Sequence, residues 1–276
     1  MADNTLLTIL VPGKDDRAFY KKFFILVGKK LNVKVIDLDS NNYLQKKRSI
    51  LDKICKQHRR AQAKGEFLRG TSAVKLLSKD RKKEINIVIV PAERKVTQLA
   101  SIILEYQAGL SNPSIDFIVV ADDAEEKDFD QKLESLYNSI KSLSNIEIDK
   151  ELSSGKYYRL LVLKKPRGVK LMLIVQGIKL VTIVTKHAIG DYILYLYRDL
   201  VDEMIKTTNK FMQIVNIKTD KHKHKKLALL IAVKLCYTKI EEIFLKNLNM
   251  DHLNELIRTC DALNTLISII ANTLNA

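Results

Sequence analysis

At 276 residues, with 46% hydrophobic and 29% charged side chains, the chain has the composition of a folded protein with an ample core, in one large domain or two modest ones. Only 9 Gly and 4 Pro exclude long flexible linkers. The opening MADNTLLTIL lacks the basic-then-apolar order of a secretory leader, and no apolar run reaches the roughly 18–20 residues of a membrane span. A soluble, cytoplasmic protein is expected, and its formal net charge of +15 directs attention to polyanions. Cys55, Cys236 and Cys260 are odd in number and form no C-x-x-C, so buried free thiols are expected rather than a zinc site or a disulfide framework.

In chain order, residues 6–12 (LLTILVP) predict a buried strand. A helix with Phe19, Phe23, Leu26 and Val27 on one face then runs from Asp15 or Asp16 to about Lys30. Residues 33–38 alternate like a strand, DSNNY breaks the chain, and 44–64 predict a highly basic helix. AKGEFLRGTSAVKLLSKDRKK predicts a connection with a short helix. A strand at 85–90 ends at Pro91, as the first ends at Pro12, so that ILVPG and VIVPA echo one another. Helices at 93–107 and 128–143 flank a strand at 115–120 that runs into ADDAEE. This alternation predicts an α/β fold with a mainly parallel, Rossmann-like sheet covered on both faces. After SSG, KYYRLLVL and VKLMLIVQG predict two antiparallel strands at the edge of the sheet, joined by a basic loop. From about His187 the chain reads as helical, broken near NIKTDKHKHK and at NLNMD with one last helix beyond, giving an α/β domain over 1–185 and a helical part over 186–276. Leu253, Leu256, Cys260, Leu263, Ile267, Ile270 and Leu274 fall in a heptad seam. The seam can pack on the preceding stripe (Val233, Cys236, Ile240, Ile243) or join two copies through residues 253–274 as a homodimer.

The first turn, VPGKDDRAF, is not a phosphate loop. It lacks the first glycine and the hydroxyl of G-x-x-x-x-G-K-[ST] and puts two acids where phosphate would sit. Asp122 and Asp123, with Glu125 and Glu126 beyond them, end a central strand where an open parallel sheet binds ligands, and this makes Asp122 and Asp123 candidate ligands for Mg²⁺. The alternative is an acidic helix start favoured by the helix dipole. His222 and His224 in KHKHKK point opposite ways on a helix and read as solvated, and His187 with Asp191, four apart, reads as a surface or supporting pair.

Residues 44–83 carry 14 Lys or Arg against three acids, Asp52, Glu66 and Asp80. A one-sign field of this kind attracts nucleic acid, whereas the Lys-rich surfaces of thermophile proteins are enriched in Glu as well. The candidate phosphate contacts are Lys46, Lys47, Arg48, Lys53, Lys56, Arg59, Arg60, Lys64 and Arg69, helped by Lys14, Arg17, Lys164, Lys165 and Arg167.

LTILVPGKDDRAFYKKFF resembles the opening of the Toprim domain, in which an apolar strand is followed by Glu-Gly, often Lys-Asp-Asp, and an aromatic-rich helix. IDFIVVADDAEE resembles its second motif, an apolar strand ending in Asp-x-Asp. KHAIGDYILYLYRDL is similar to a helix of one branch, the single-domain Toprim-like proteins related to the overcoming-lysogenization-defect nucleases. The resemblance spans roughly residues 6–200. It implies a Toprim-like sheet and metal-assisted phosphodiester chemistry, with a motif-one Glu as general acid/base. Pro12 stands at that Glu position, and Ala121 or Ala124 replaces one Asp, depending on register. General acid–base catalysis alone contributes about 10²–10⁴-fold, so the resemblance implies a catalytically degenerate domain. A nucleic-acid-binding module is therefore expected. The alternatives are a metal-dependent nuclease using Asp122, Asp123 and a relocated acid such as Glu93 or Glu125, and a scaffold assembled through the C-terminal helices.

Overall fold

A computed structural model describes residues 3–38, 71–92, 95–178, 188–199, 202–203, 206–207, 210 and 247–275. The predicted helix at 44–64, the stripe at 233–243, and Cys55, Glu93, His187, His222 and His224 lie outside these residues, as does the expected boundary at 185/186.

The described chain is an α/β structure built on one eight-stranded mixed sheet. Its elements are β1 (Asp3–Val11), α1 (Lys14–Lys30), β2 (Lys34–Asp37), β3 (Ser72–Leu77), β4 (Lys83–Pro91), α2 (Val96–Ala108), β5 (Phe117–Asp123), α3 (Phe129–Lys141), β6 (Glu147–Ser154), β7 (Tyr158–Lys165), β8 (Lys170–Gln176), α4 (Gly190–Leu196), α5 (Met250–Thr259) and α6 (Asp261–Asn275). The strand order is β2-β3-β4-β1-β5-β8-β7-β6. The four central strands β4, β1, β5 and β8 run parallel, and both flanks are antiparallel.

The central strands are continuous apolar runs because both of their faces are covered. On one side lie α1, α5 and α6, with α4 packed on α5, and on the other side lie α2 and α3. Ile9, Leu10, Ile87, Val90, Val119 and Leu173 are fully buried between these layers. On α1 the aromatic run closes a cluster, with Phe19 stacking at 5.1 Å on both Tyr20 and Tyr192 and Phe23 at 5.3 Å from Phe24. The echo between ILVPG and VIVPA is physical. Val11 and Pro91 are paired at the ends of adjacent parallel strands, and the Ala92 N–H donates to the Val11 carbonyl at 2.8 Å.

Three expectations are corrected. The segment predicted as a connection with a short helix contains β3, which pairs antiparallel with β4 and carries β2 outside it. β8 is not an edge strand. It lies beside β5 in parallel, and the edge is β6, a strand the sequence pattern did not disclose. The expected single C-terminal helix is two, because Cys260 leaves helical geometry at φ −112°, ψ 101° between α5 and α6. The seam residues Leu253, Leu256, Cys260, Leu263, Ile267, Ile270 and Leu274 are buried within the chain, in the same core as the sheet. The described packing of the seam is therefore intramolecular. None of the described helices is long and apolar enough to cross a membrane.

α1 comes close to the sheet at Gly28. A Cβ there would overlap the Val35 side chain and come within 3.0 Å of Leu76 Cδ2. Alanine gains up to about 1 kcal/mol in a helix interior, whereas overpacking costs about 1–3 kcal/mol, and a β-branched valine has little rotamer freedom with which to yield. Gly28→Ala is expected to lower stability by about 1–2 kcal/mol, read as a reduced urea midpoint at unchanged m-value. A midpoint at or above that of the wild type would contradict this packing.

Candidate functional site

The carboxyl ends of β1, β5 and β8 meet at one edge of the sheet, and each contributes a polar side chain there. After β1, the buried Pro12 leads into Gly13, the N-cap of α1. Asp16 closes the first helical turn, its Oδ2 accepting the Gly13 N–H at 3.0 Å. β5 ends on Asp122 and Asp123, and β8 ends on Gln176, which is fully buried.

Gln176 is the bridge. Its Nε2 donates to Asp16 Oδ1 at 2.9 Å and to Asp123 Oδ1 at 3.1 Å, so one amide nitrogen ties together two carboxylates from different elements. Its Oε1 is buried without a hydrogen-bond partner, as is the hydroxyl of Tyr20. Burial first, and the Asp16 charge next, push Asp123 up to about 8, with Asp122 adding to the rise and Lys132 opposing it. Burial pushes Asp16 up to about 6, opposed by the hydrogen bonds from Gln176 and from the Gly13 backbone. The pair therefore holds a proton at neutral pH, when separate surface carboxylates would both be ionised.

The expected metal pair does not form. Successive residues of a strand face opposite sides of the sheet. Asp123 meets Asp16 on the α1 side, while Asp122 is in an ion pair with Lys132 of α3 at 2.8 Å. The Asp122 Oδ1 also accepts the Asp123 N–H at 3.0 Å. Among the described residues, no three His, Cys, Asp or Glu side chains cluster in a way that could hold a metal ion. The residues present thus do not fit the Mg²⁺ site that the Toprim resemblance implies. Glu125, offered as a relocated acid, adds only the least of the charges that raise Asp123.

The other candidates are dispersed. Lys14 and Arg17 follow the carboxyl end of β1, whereas Lys164, Lys165 and Arg167 precede the amino end of β8, which is parallel to it within the same sheet. The two groups therefore lie at opposite edges and make no common surface. Lys164 is in an ion pair with Glu147 at 2.9 Å. Lys46, Lys47, Arg48, Lys53, Lys56, Arg59, Arg60, Lys64 and Arg69 lie outside the described residues. Asp191 is structural: fully buried, it accepts the Ile178 N–H at 2.9 Å just beyond β8. Cys260 is a buried free thiol that burial pushes up to about 11, so it is unreactive.

Sequence reasoning took Asp16 as a helix-starting acid and Gln176 as the end of a strand. The signal for Asp16 was the second acid of Lys-Asp-Asp, at the N3 position of a capping box. Gln176 offered only a lone amide closing an apolar run.

The fold and site together define an open-sheet α/β protein with a bridged acid pair at the carboxyl edge of its central parallel strands. No protein-family model and no curated protein matches the chain. Among solved structures, a hypothetical protein from S. aureus is 12% identical, over 63% of this chain and 94% of that one, with a TM-score of 0.17, a similarity too low to bear on fold or function.

The acid pair makes stability depend on pH with a definite sign. In the native protein both carboxyls keep protons that the unfolded chain, titrating near 3.8, has released. The contribution of the pair is therefore fully present below about pH 3.8 and is lost as pH rises through about 6 and about 8. Asp123→Asn keeps an oxygen for Gln176 and removes the charge. It is expected to raise Tm by a few degrees at about pH 9, with the gain shrinking toward about pH 5. A gain independent of pH would argue against the shared proton.

Proposed function

We propose that the protein binds nucleic acid through phosphate contacts and carries a Toprim-like domain that has given up its chemistry. The observation that carries the reading is the charge. The chain has a formal net charge of +15, and 14 of its Lys and Arg fall within residues 44–83 against three acids. In the described part of that segment, Lys79, Arg81 and Lys82 are exposed. A field of this strength and sign acts on a polyanion at long range and needs no base contacts.

The loss of turnover is supported by the carboxyl edge. Pro12 has no proton to exchange, Asp122 is neutralised by Lys132, and Asp123 shares Gln176 with Asp16. The buried heptad seam gives self-association no support from the described residues, so the reading invokes no dimer. The cytoplasm suits this function, because nucleic acid is accessible there and thiols such as Cys260 stay reduced.

Affinity for a mixed-sequence duplex is expected to be insensitive to sequence and steeply dependent on salt. Six to ten phosphate contacts correspond to a loss of about 10³–10⁵ between roughly 50 and 200 mM salt. Fluorescence anisotropy at both salt concentrations measures this, and a flat salt response would refute the reading. The same duplex, incubated with the protein and either Mg²⁺ or Mn²⁺, is expected to remain intact on a denaturing gel. Cleavage abolished by Asp123→Ala would instead establish the nuclease alternative.

A further inference from the structure

The direction of the four central strands places acid-rich and base-rich turns at opposite edges of the sheet. Asp15, Asp16, Asp122, Asp123, Glu125 and Glu126 gather where β1 and β5 end. Two hairpin tips stand at the opposite edge. The β3–β4 turn carries Lys79, Arg81, Lys82 and Lys83 with Asp80, and the β7–β8 turn carries Lys164, Lys165, Arg167 and Lys170 with no acid. All of these cations are exposed except Lys83, which is half-buried.

Both tips are held by hydrogen bonds within their turns. In the first, Asp80 Oδ1 accepts from the Ser78 hydroxyl at 2.7 Å and from the Lys82 N–H at 3.0 Å. The Lys83 N–H donates to Ser78 Oγ at 3.0 Å, and Arg81 is held in the left-handed region at φ 58°. The one acid of this tip is thus spent on the turn itself, its Oδ2 lying 3.9 Å from the Lys82 ammonium. In the second, Gly168 takes φ 76°, and its N–H donates to the Leu163 carbonyl at 3.1 Å. Cations fixed in this way lose little backbone entropy on binding an anion. Two other acids near the edge are engaged: Glu147 pairs with Lys164, which offsets that cation, and Asp116 Oδ2 accepts the Leu6 N–H at 2.7 Å.

We infer that the amino-terminal edge of the sheet, through these two basic hairpin tips, grips the backbone of double-stranded nucleic acid on the side of the molecule opposite the acid pair. The inference rests on the nucleic-acid-binding reading and assigns that reading a surface and a substrate class. β4 and β8 are three strand spacings apart, about 14 Å. Lys83 is level with Asp3 and Lys170 with Leu7, an offset along the strands of about 13 Å. The tips are thus about 20 Å apart, which covers about six base-pair steps along the axis of a duplex at 3.4 Å each. Neither tip carries an aromatic side chain on which an unpaired base could stack, so the surface suits a duplex rather than a single strand. It also suits a polyanion rather than a mononucleotide, which cannot reach from one tip to the other.

The test uses the full chain and a fluorescein-labelled 30-base-pair duplex at low salt. Three triple variants each remove three positive charges: Lys79, Arg81 and Lys82 to Gln; Lys165, Arg167 and Lys170 to Gln; and, as a control at the opposite edge, the exposed Lys95, Lys127 and Lys156 to Gln. Thermal melts confirm that each variant is folded. Each tip variant is expected to lose at least about 10-fold in affinity and to flatten the log–log salt slope by about 2–3, while the control changes by less than about 3-fold. If the wild type binds the duplex and the tip variants lose no more than the control, the edge assignment is wrong and the nucleic-acid-binding reading survives. A wild type that binds no nucleic acid overturns both. Tighter binding of a 30-nucleotide single strand overturns the duplex assignment. Equal binding of vesicles rich in phosphatidylserine, lost in the same tip variants, would make the edge a membrane-surface contact instead.

Discussion

β4, β1, β5 and β8 are covered by helices on both faces, and that burial leaves charge very few places to go. An ionised side chain taken into such an interior costs several kcal/mol unless it is fully paired. Among the described residues, Asp16 and Asp191 are the buried carboxylates, and each is held by backbone or amide N–H donors. Charge collects instead where the strands stop. Because these four strands are parallel, one edge gathers all their carboxyl ends and the other all their amino ends. The two edges therefore present different groups, the carboxyls of Asp16, Asp122 and Asp123 at one and two basic hairpin tips at the other.

At the acidic edge the alternation of a single strand decides the chemistry. Asp122 and Asp123 are adjacent in sequence, yet the pleat sends them to opposite faces. There one finds a lysine of α3 and the other finds Asp16. Two carboxylates brought together repel each other, and the Gln176 amide bridges them while burial pushes both carboxyls up. This is a structural solution to like-charge crowding.

The sequence disclosed elements wherever burial imposed a period or a continuous apolar run. α1, β1, β4, α2, β5 and α3 were legible for that reason, and their order made the α/β class legible. β3 was missed because Lys75 interrupts SAVKLL within a basic stretch, although that lysine is paired with Glu84 at 2.9 Å across the ladder. β6 was missed because Glu147–Ser154 is exposed on both faces, and backbone pairing with β7 leaves no hydrophobic pattern to read. The break at Cys260 was invisible because α5 and α6 keep the apolar spacing across it. The acid pair was the hardest feature to foresee. Asp16 and Gln176 are 160 residues apart, and only the parallel order β1-β5-β8 brings them together.

Pro12 belongs to the same balance. It follows the residue that pairs with Pro91 and precedes Gly13, whose N–H is held by Asp16. An acid at position 12 would add a third carboxylate next to a pair in which one proton already relieves the repulsion. After a single protonation two negative charges would remain in a partly desolvated corner, and an added cation would be needed to hold them there. With proline in that place, the charge is small enough for one amide and one proton to manage. The proline at 12, the ion pair of Asp122 with Lys132 and the bridging by Gln176 are thus parts of one arrangement, and each makes the others tolerable.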